Sequence, residues 1–278
     1  MKPEENKADK AGESYWTHFW QQLPFPAPIN VSRKVAGSYV HRKLDEHFNF
    51  VFSNLNPPEL DLLEIGCGNS AYLSFFHHRY GFRVHGIDYS SYGCQRTREI
   101  LKRDEVVGNI MHGDLFEPPQ ELLGRFDVVC SFGVAEHFEN TSGVIQRMSD
   151  FVKPGGLLIT TIPNLSGPTG LIQKYFNRPV YDIHRVMNLG DLKQHIQKAG
   201  LEIVLASRFV PISFGVTLEE IDGKQVRYKG LKRFLLKGLQ VIEKIMCRVD
   251  DHLIALPKTD FWCAGFIVTA RKPTEPLA

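Results

Sequence analysis

An acid closing a short apolar run, two glycines one residue apart, a second acid further on and a histidine after a later apolar run are the groups here that can do chemistry. They are Glu64, Gly66 and Gly68 in Asp61-Leu62-Leu63-Glu64-Ile65-Gly66-Cys67-Gly68-Asn69-Ser70, then Asp88, and His137. Two glycines at that spacing let a buried strand turn sharply into a helix with its N–H groups free to meet a ligand, and the missing side chains let a cofactor approach the backbone. Asp88 lies about 20 residues past the turn, where a carboxylate at the tip of a second strand reaches a ribose hydroxyl pair. Asp114, in His112-Gly113-Asp114, is placed to accept an exocyclic amine of adenine. A histidine, with an ordinary pKa of about 6.5, is suited to take a proton, and the competing role for His137 is to orient backbone.

These residues need strands to end where they stand, and the sequence supplies them. Apolar runs at 61–65, 82–88, 106–111, 126–134 and 157–162 alternate with helical patterns at 70–80, 90–103 and 142–152. Such alternation, with continuous apolar strands, implies a parallel, doubly wound sheet. Ser90 is placed as an N-cap, Gly81 as a C-terminal stop, and Lys153-Pro154-Gly155-Gly156 as a sharp end to the helix before the fifth strand. A helix at 189–199, a sixth strand at 201–210 and a last strand at 261–270 complete the pattern.

Around this core lie four additions. Residues 1–13 read as a disordered polar tail. Residues 14–57 form an N-terminal piece with the aromatic run Ser14-Tyr15-Trp16-Thr17-His18-Phe19-Trp20, either packed on the domain or acting as a lid, followed by an amphipathic helix from Ser38 to Phe52. Arg33, Lys34, Arg42 and Lys43 there are solvated or meet a cofactor carboxylate. The remainder, 58–278, is one domain with an acceptor-side excursion at 164–188 and an insertion at 211–260. From Lys224 to Arg248 that insertion carries eight basic residues against Glu243 alone, a local excess of +7, with Leu231, Phe234, Leu235, Leu239, Ile242, Ile245, Met246 and Val249 at helical spacing. The basic helix over 229–250 packs its apolar stripe on the domain or on a second copy of the chain, lies on a membrane surface, or meets an anionic acceptor.

A formal net charge of +2 gives no global case for nucleic acid as partner, and the basic residues lack the interleaved aromatics of a stacking platform. Cys67, Cys94, Cys130, Cys247 and Cys263 are scattered without a Cys-x-x-Cys pair, so no metal site and no disulfide framework is expected. A cytoplasmic setting fits, since no secretory signal or membrane span is read.

Taken together, Leu62-Leu63-Glu64-Ile65-Gly66-Cys67-Gly68, Gly86-Ile87-Asp88, Gly113-Asp114, Phe126-Asp127-Val128-Val129 with Glu136-His137, and Lys153-Pro154-Gly155-Gly156-Leu157 resemble, in order, the motifs of class I S-adenosylmethionine-dependent methyltransferases. Glu136-His137 with Pro163-Asn164 and His184 is similar to the small-molecule and quinone O-methyltransferase branch. Ser70 departs from a frequent third glycine, and the basic insertion lies outside the shared core. The resemblance implies a Rossmann-like, doubly wound, seven-stranded and mostly parallel sheet with the last strand antiparallel. It implies S-adenosylmethionine as cofactor, with Gly66 and Gly68 admitting its methionine part and Glu64 near the ammonium. Asp88 and Tyr89 would meet the ribose, Asp114 and Leu115 the adenine, while Phe132 packs beside the cofactor. His137 and His184 are the catalytic candidates, for O-methylation of a small or lipidic hydroxyl compound. N- or C-methylation of a metabolite, a nicotinamide-dependent oxidoreductase on the same glycine turn, and a non-catalytic cofactor module are the other readings.

Overall fold

The computed structural model describes residues 9–32, 38–213 and 230–274; Arg33, Lys34, Lys224, Arg227 and Lys229, with residues 1–8 of the expected tail, lie outside them. The sheet consists of β1 (Asp61–Ile65), β2 (Arg83–Asp88), β3 (Gly108–His112), β4 (Phe126–Phe132), β5 (Val152–Pro163), β6 (Glu202–Phe209) and β7 (Gly265–Arg271), in spatial order β3-β2-β1-β4-β5-β7-β6. Strands β1 to β5 pair in parallel, and β7 runs antiparallel between β5 and β6, as expected of the last strand.

Alternation along each strand divides the core. Leu62, Val84, Val128 and Cys130 face one way, against Leu44, Phe48 and Phe52 of α2 (Tyr39–Phe52) and Leu73 and Phe76 of α3 (Tyr72–Tyr80). Leu63, Ile65, Ile87 and Val129 face the other way, against α5 (Thr141–Asp150) and α8 (Leu189–Lys198). Both faces are therefore covered, which is what makes the strands read as unbroken apolar runs. Helix α4 (Ser91–Arg103) is capped as the sequence predicts, with Ser90 Oγ accepting from the Gly93 N–H at 3.1 Å. Helix α3 ends at Gly81 in the left-handed region, φ 89°.

Several expectations are corrected. Residues 9–13 are ordered: Asp9 bridges to Phe138, the Lys10 N–H donates to the His137 carbonyl at 2.9 Å, and α1 (Glu13–Gln22) begins at Glu13. Lys153-Pro154-Gly155-Gly156 does not stop the helix but lies inside β5, where Gly155 takes φ 78° and its N–H reaches the Lys272 carbonyl. Strands β3 and β7 start later than predicted, leaving Phe261 and Trp262 in an exposed loop. The 164–188 excursion carries two short helices, α6 (Pro168–Phe176) and α7 (Arg178–Asp182). Arg42 pairs with Asp251 at the end of α9 (Gly230–His252).

The described part of the basic insertion is that helix α9. Its C-terminal end is fastened by Tyr39 and Lys258 donating to Asp250, and near its start Lys232 stands over the Tyr175 ring at 4.8 Å. Among the described residues much of its apolar stripe is exposed, with Leu231 at 71 %, Phe234 at 75 % and Leu235, Val241, Ile242 and Ile245 exposed as well, while Leu239, Met246 and Val249 are half-buried. Only Leu236 and Asp250 of the helix are buried.

Candidate functional site

Strand order reverses between β1 and β4, and in open α/β sheets the crevice beyond the carboxyl ends at that point is where ligands bind. A cavity of about 860 Å³ opens there. Its lining includes every residue singled out from the sequence: Glu64, Gly66, Gly68, Asp88, Tyr89, Asp114, Leu115, Phe132, His137 and His184.

The floor is shaped by the glycine turn. Gly66 takes φ 75°, and a Cβ there would fall 2.6 Å from Val134 Cγ2, so both its conformation and its neighbour require glycine. A Cβ on Gly68 would meet Trp20 Nε1 at 2.6 Å and Asp88 Oδ2 at 3.0 Å. Asp88 is held by two backbone donors, Gly68 N–H at 2.8 Å and Ser90 N–H at 2.7 Å. Burial pushes its carboxyl up to about 6, and the two N–H bonds oppose that rise. Burial also raises Glu64 to about 8, partly offset by the bond from Ser70 Oγ at 2.7 Å. Ser70, read from the sequence as a tolerated departure, therefore holds the Glu64 carboxylate in place. Asp114 is exposed at the cavity edge, where one carboxylate oxygen accepts the Phe116 N–H at 2.8 Å.

The roof comes from the chain's beginning. Trp16, Phe19 and Trp20 of α1 line the cavity, and α1 has no fully buried residue. It is moored at both ends of the crevice: Tyr89 donates to Asp9, Thr17 Oγ1 bonds Ser90 Oγ at 2.8 Å, and Trp16 meets the His137 ring edge-on at 5.0 Å. The Trp20 Nε1–H is buried with no hydrogen-bond partner among the described residues. A buried unpaired donor beside Asp88 and Gly68 suits the hydroxyls or ring edge of a nucleoside. The glycine turn, the Asp88 carboxylate beside it and this donor fit the adenosyl cofactor that the sequence motifs imply.

The far wall holds His137 and His184, with ring centroids 4.5 Å apart. His137 Nδ1 donates to the Ile183 carbonyl at 3.1 Å, and burial followed by the neighbouring His184 pushes its imidazole down to about 3. It stands neutral, and a proton passed to it would be held weakly. Of the two roles read from the sequence, the orienting one has direct contacts here. Sequence reasoning passed over Trp20, named only as part of the aromatic run, and over His41 and Tyr72, whose Nδ1 and hydroxyl lie 3.1 Å apart on the cavity wall. Tyr72 stacks on Phe132 at 4.3 Å, and only the helical phase of α3 could have pointed to it.

A family model described as a methyltransferase domain matches residues 36–206. The chain is similar to the ribosomal RNA small subunit methyltransferase C of Alcanivorax borkumensis, 32 % identical over 132 residues, which are 44 % of this chain and 39 % of that protein. It is also similar to the ubiquinone biosynthesis O-methyltransferase of Ruegeria pomeroyi, 25 % identical over 221 residues, covering 76 % of this chain and 88 % of that one. The chain thus spans well under half of the first relative and most of the second. Among solved structures, the geranyl diphosphate C-methyltransferase from Streptomyces coelicolor A3(2) aligns with a TM-score of 0.59 at 12 % identity, over 96 % of this chain and 99 % of that one. That last likeness is one of fold.

Proposed function

Since this chain belongs to the methyltransferase-domain family and takes S-adenosylmethionine as its cofactor, we propose that it methylates the hydroxyl oxygen of a small or lipidic acceptor. The observation that carries the reading is the single cavity with a polar, glycine-lined cofactor floor at one end and an aromatic roof and imidazole wall at the other. Its volume of about 860 Å³ is in the range of pockets that enclose a cofactor-sized ligand, with space left beside it. The nicotinamide alternative falls with the family match.

When bound, the cofactor supplies a methyl group on a sulfonium that leaves as a neutral thioether. What remains for the chain is binding, alignment and exclusion of water. Gly66 and Gly68 admit the methionine part, and Glu64, held by Ser70, faces its ammonium. Asp88 accepts from the ribose hydroxyls with Tyr89 beside it, Trp20 supplies a donor from above, and Asp114 and Leu115 border the adenine. Phe132, backed by Tyr72, packs along the cofactor. Closing α1 over the cavity keeps water from the reacting atoms. His137 and His184 form the wall an acceptor would touch.

The acidity of His137 supports one further reading, an amine acceptor, whose lone pair needs no prior deprotonation. A lipidic acceptor would come from an anionic membrane surface, a reading supported by α9, where Lys232, Arg233, Lys237, Lys244 and Arg248 stand exposed beside the exposed apolar side chains. The direct test is incubation of the full chain with methyl-labelled cofactor and paired phenol, long-chain alcohol and amine acceptors, with products identified by mass spectrometry. O-methyl products sustain the proposal. Amine products alone replace it with the second reading, and cofactor binding without any methyl product would reduce the chain to a binding module.

A further inference from the structure

One corner of the cavity gathers ligating groups that cofactor binding does not use. Glu136 and His137 stand side by side in the turn after β4, and His184 closes the excursion that follows β5. One ligand atom from each lies within 4.8 Å of the others, and all three side chains are buried, Glu136 at 2 %, His137 at 3 % and His184 at 8 % exposure. The sequence reading looked to cysteines and expected no metal here. Only the fold of the excursion brings His184 to the pair.

Both rings are already oriented. His137 Nδ1 contacts the Ile183 carbonyl at 3.1 Å, and His184 Nδ1 contacts the Val180 carbonyl at 2.6 Å. A carbonyl oxygen only accepts, so each Nδ1 carries its hydrogen and each Nε2 keeps a bare lone pair. This is the second-shell arrangement that fixes the tautomer of metal-bound histidines and strengthens them as ligands. The two supporting segments are also clamped together: the Arg185 N–H donates to the Glu136 carbonyl at 2.7 Å, and the Arg185 guanidinium reaches the Glu139 carbonyl. Trp16 closes one side of the His137 ring. The corner is thus stiff, half shielded and open toward the cavity, since all three residues line it.

We propose that Glu136, His137 and His184 bind one first-row divalent cation of the class that accepts imidazole and carboxylate ligands, at the acceptor end of the cavity. Three protein ligands leave at least one coordination position toward the cavity. An acceptor hydroxyl there has its acidity raised by the cation and gives its proton to water. Its oxygen electron pair forms the new bond to the methyl carbon while the carbon–sulfur pair passes to sulfur. No oxidant or reductant is needed. This role rests on the O-methyl reading above; the cation site itself does not.

The test uses the full chain, dialysed against chelator, with neither methyl donor nor acceptor. Titration with Zn²⁺ by calorimetry should show one equivalent bound, and Co²⁺ should give the visible bands of a low-coordinate nitrogen and oxygen site. Glu136→Gln and His184→Ala should each weaken binding by about 100-fold or more, given that losing even a second-shell partner costs 10–100-fold. His78→Ala, on the outer surface of α3, should leave it unchanged. Thermal unfolding of the metal-free variants controls for folding. Should a variant not fold, the wild-type Co²⁺ spectrum decides: ring-bound, low-coordinate bands sustain the site, and the weak spectrum of the hydrated ion overturns it. No saturable Zn²⁺ binding, or binding kept by both folded variants, also overturns it. Because no methyl donor is present, any of these failures leaves the methyl-transfer reading to its own experiment.

Discussion

The two ends of the cavity are built from different material. The floor under β1 and β2 is backbone and short polar groups: Gly66 at φ 75°, the Gly68 and Ser90 N–H groups on Asp88, and Ser70 on Glu64. The roof is aromatic rings on α1, a helix with no fully buried residue that is held over the pocket by a few side-chain contacts. A cofactor of fixed shape is served by a template whose donors cannot move, while an acceptor has to enter and leave. Rigidity and access are therefore separated along one pocket.

Breaking the floor should cost most. Asp88→Ala orphans the Gly68 and Ser90 N–H groups and removes the ribose acceptor, so cofactor affinity should fall on the order of 100-fold by calorimetry, at about 1–3 kcal/mol per orphaned buried group. In the roof, Trp20→Ala removes one donor and one ring and should lose only about tenfold. Equal losses in the two variants would erase the distinction between floor and roof.

The exposed stripe of α9 should matter only at a lipid surface. Phe234→Ser with Ile242→Ser should reduce co-sedimentation with phosphatidylglycerol vesicles roughly tenfold or more, since burying each such side chain contributes up to about 1.5–3 kcal/mol. The unfolding temperature should stay put, because both side chains are exposed. Binding to neutral phosphatidylcholine vesicles that matched the anionic ones, or that ignored added salt, would remove the basic residues from the account.

The smallest effect sharpens the floor. With its carboxyl raised to about 8, Glu64 is protonated at pH 7, and pairing with the cofactor ammonium requires that proton to leave. Affinity should thus rise about fivefold from pH 7 to pH 8 and flatten above, with close to one proton released at pH 7 when binding heats are compared between two buffers. Folding responds in the opposite direction. Glu64's folded value lies above its unfolded 4.5, so its contribution to stability is complete below about 4.5 and is lost as pH rises through about 8. A pH-independent affinity would remove Glu64 from the ammonium.

The same division decides what the sequence discloses. The floor is legible because its geometry is local: glycines that must be glycine, and acids at strand ends at fixed spacing from the turn. Ser70 looked like a departure only because its partner, Glu64, lies across that turn. The roof is not legible, since an aromatic run before the first strand packs equally well on a domain or over a pocket until its mooring to Asp9, Ser90 and His137 is seen. His137 and His184 were singled out as proton acceptors. What the sequence could not give was the burial that makes His137 a poor one, or the excursion that sets their rings 4.5 Å apart. The apolar stripe of α9 has the same pattern whether it is covered or bare.

Two of the chain's three tryptophans, Trp16 and Trp20, sit in α1 against the cavity, and the third, Trp262, lies on the exposed loop before β7. The roof therefore carries two of the molecule's three indole fluorophores. Indole light is sensitive to stacking and to water, so the closing of α1 over an adenine can be followed optically in real time, with no label attached. Trp262→Phe would leave an indole signal, excited at wavelengths tyrosine does not absorb, that comes from the lid alone.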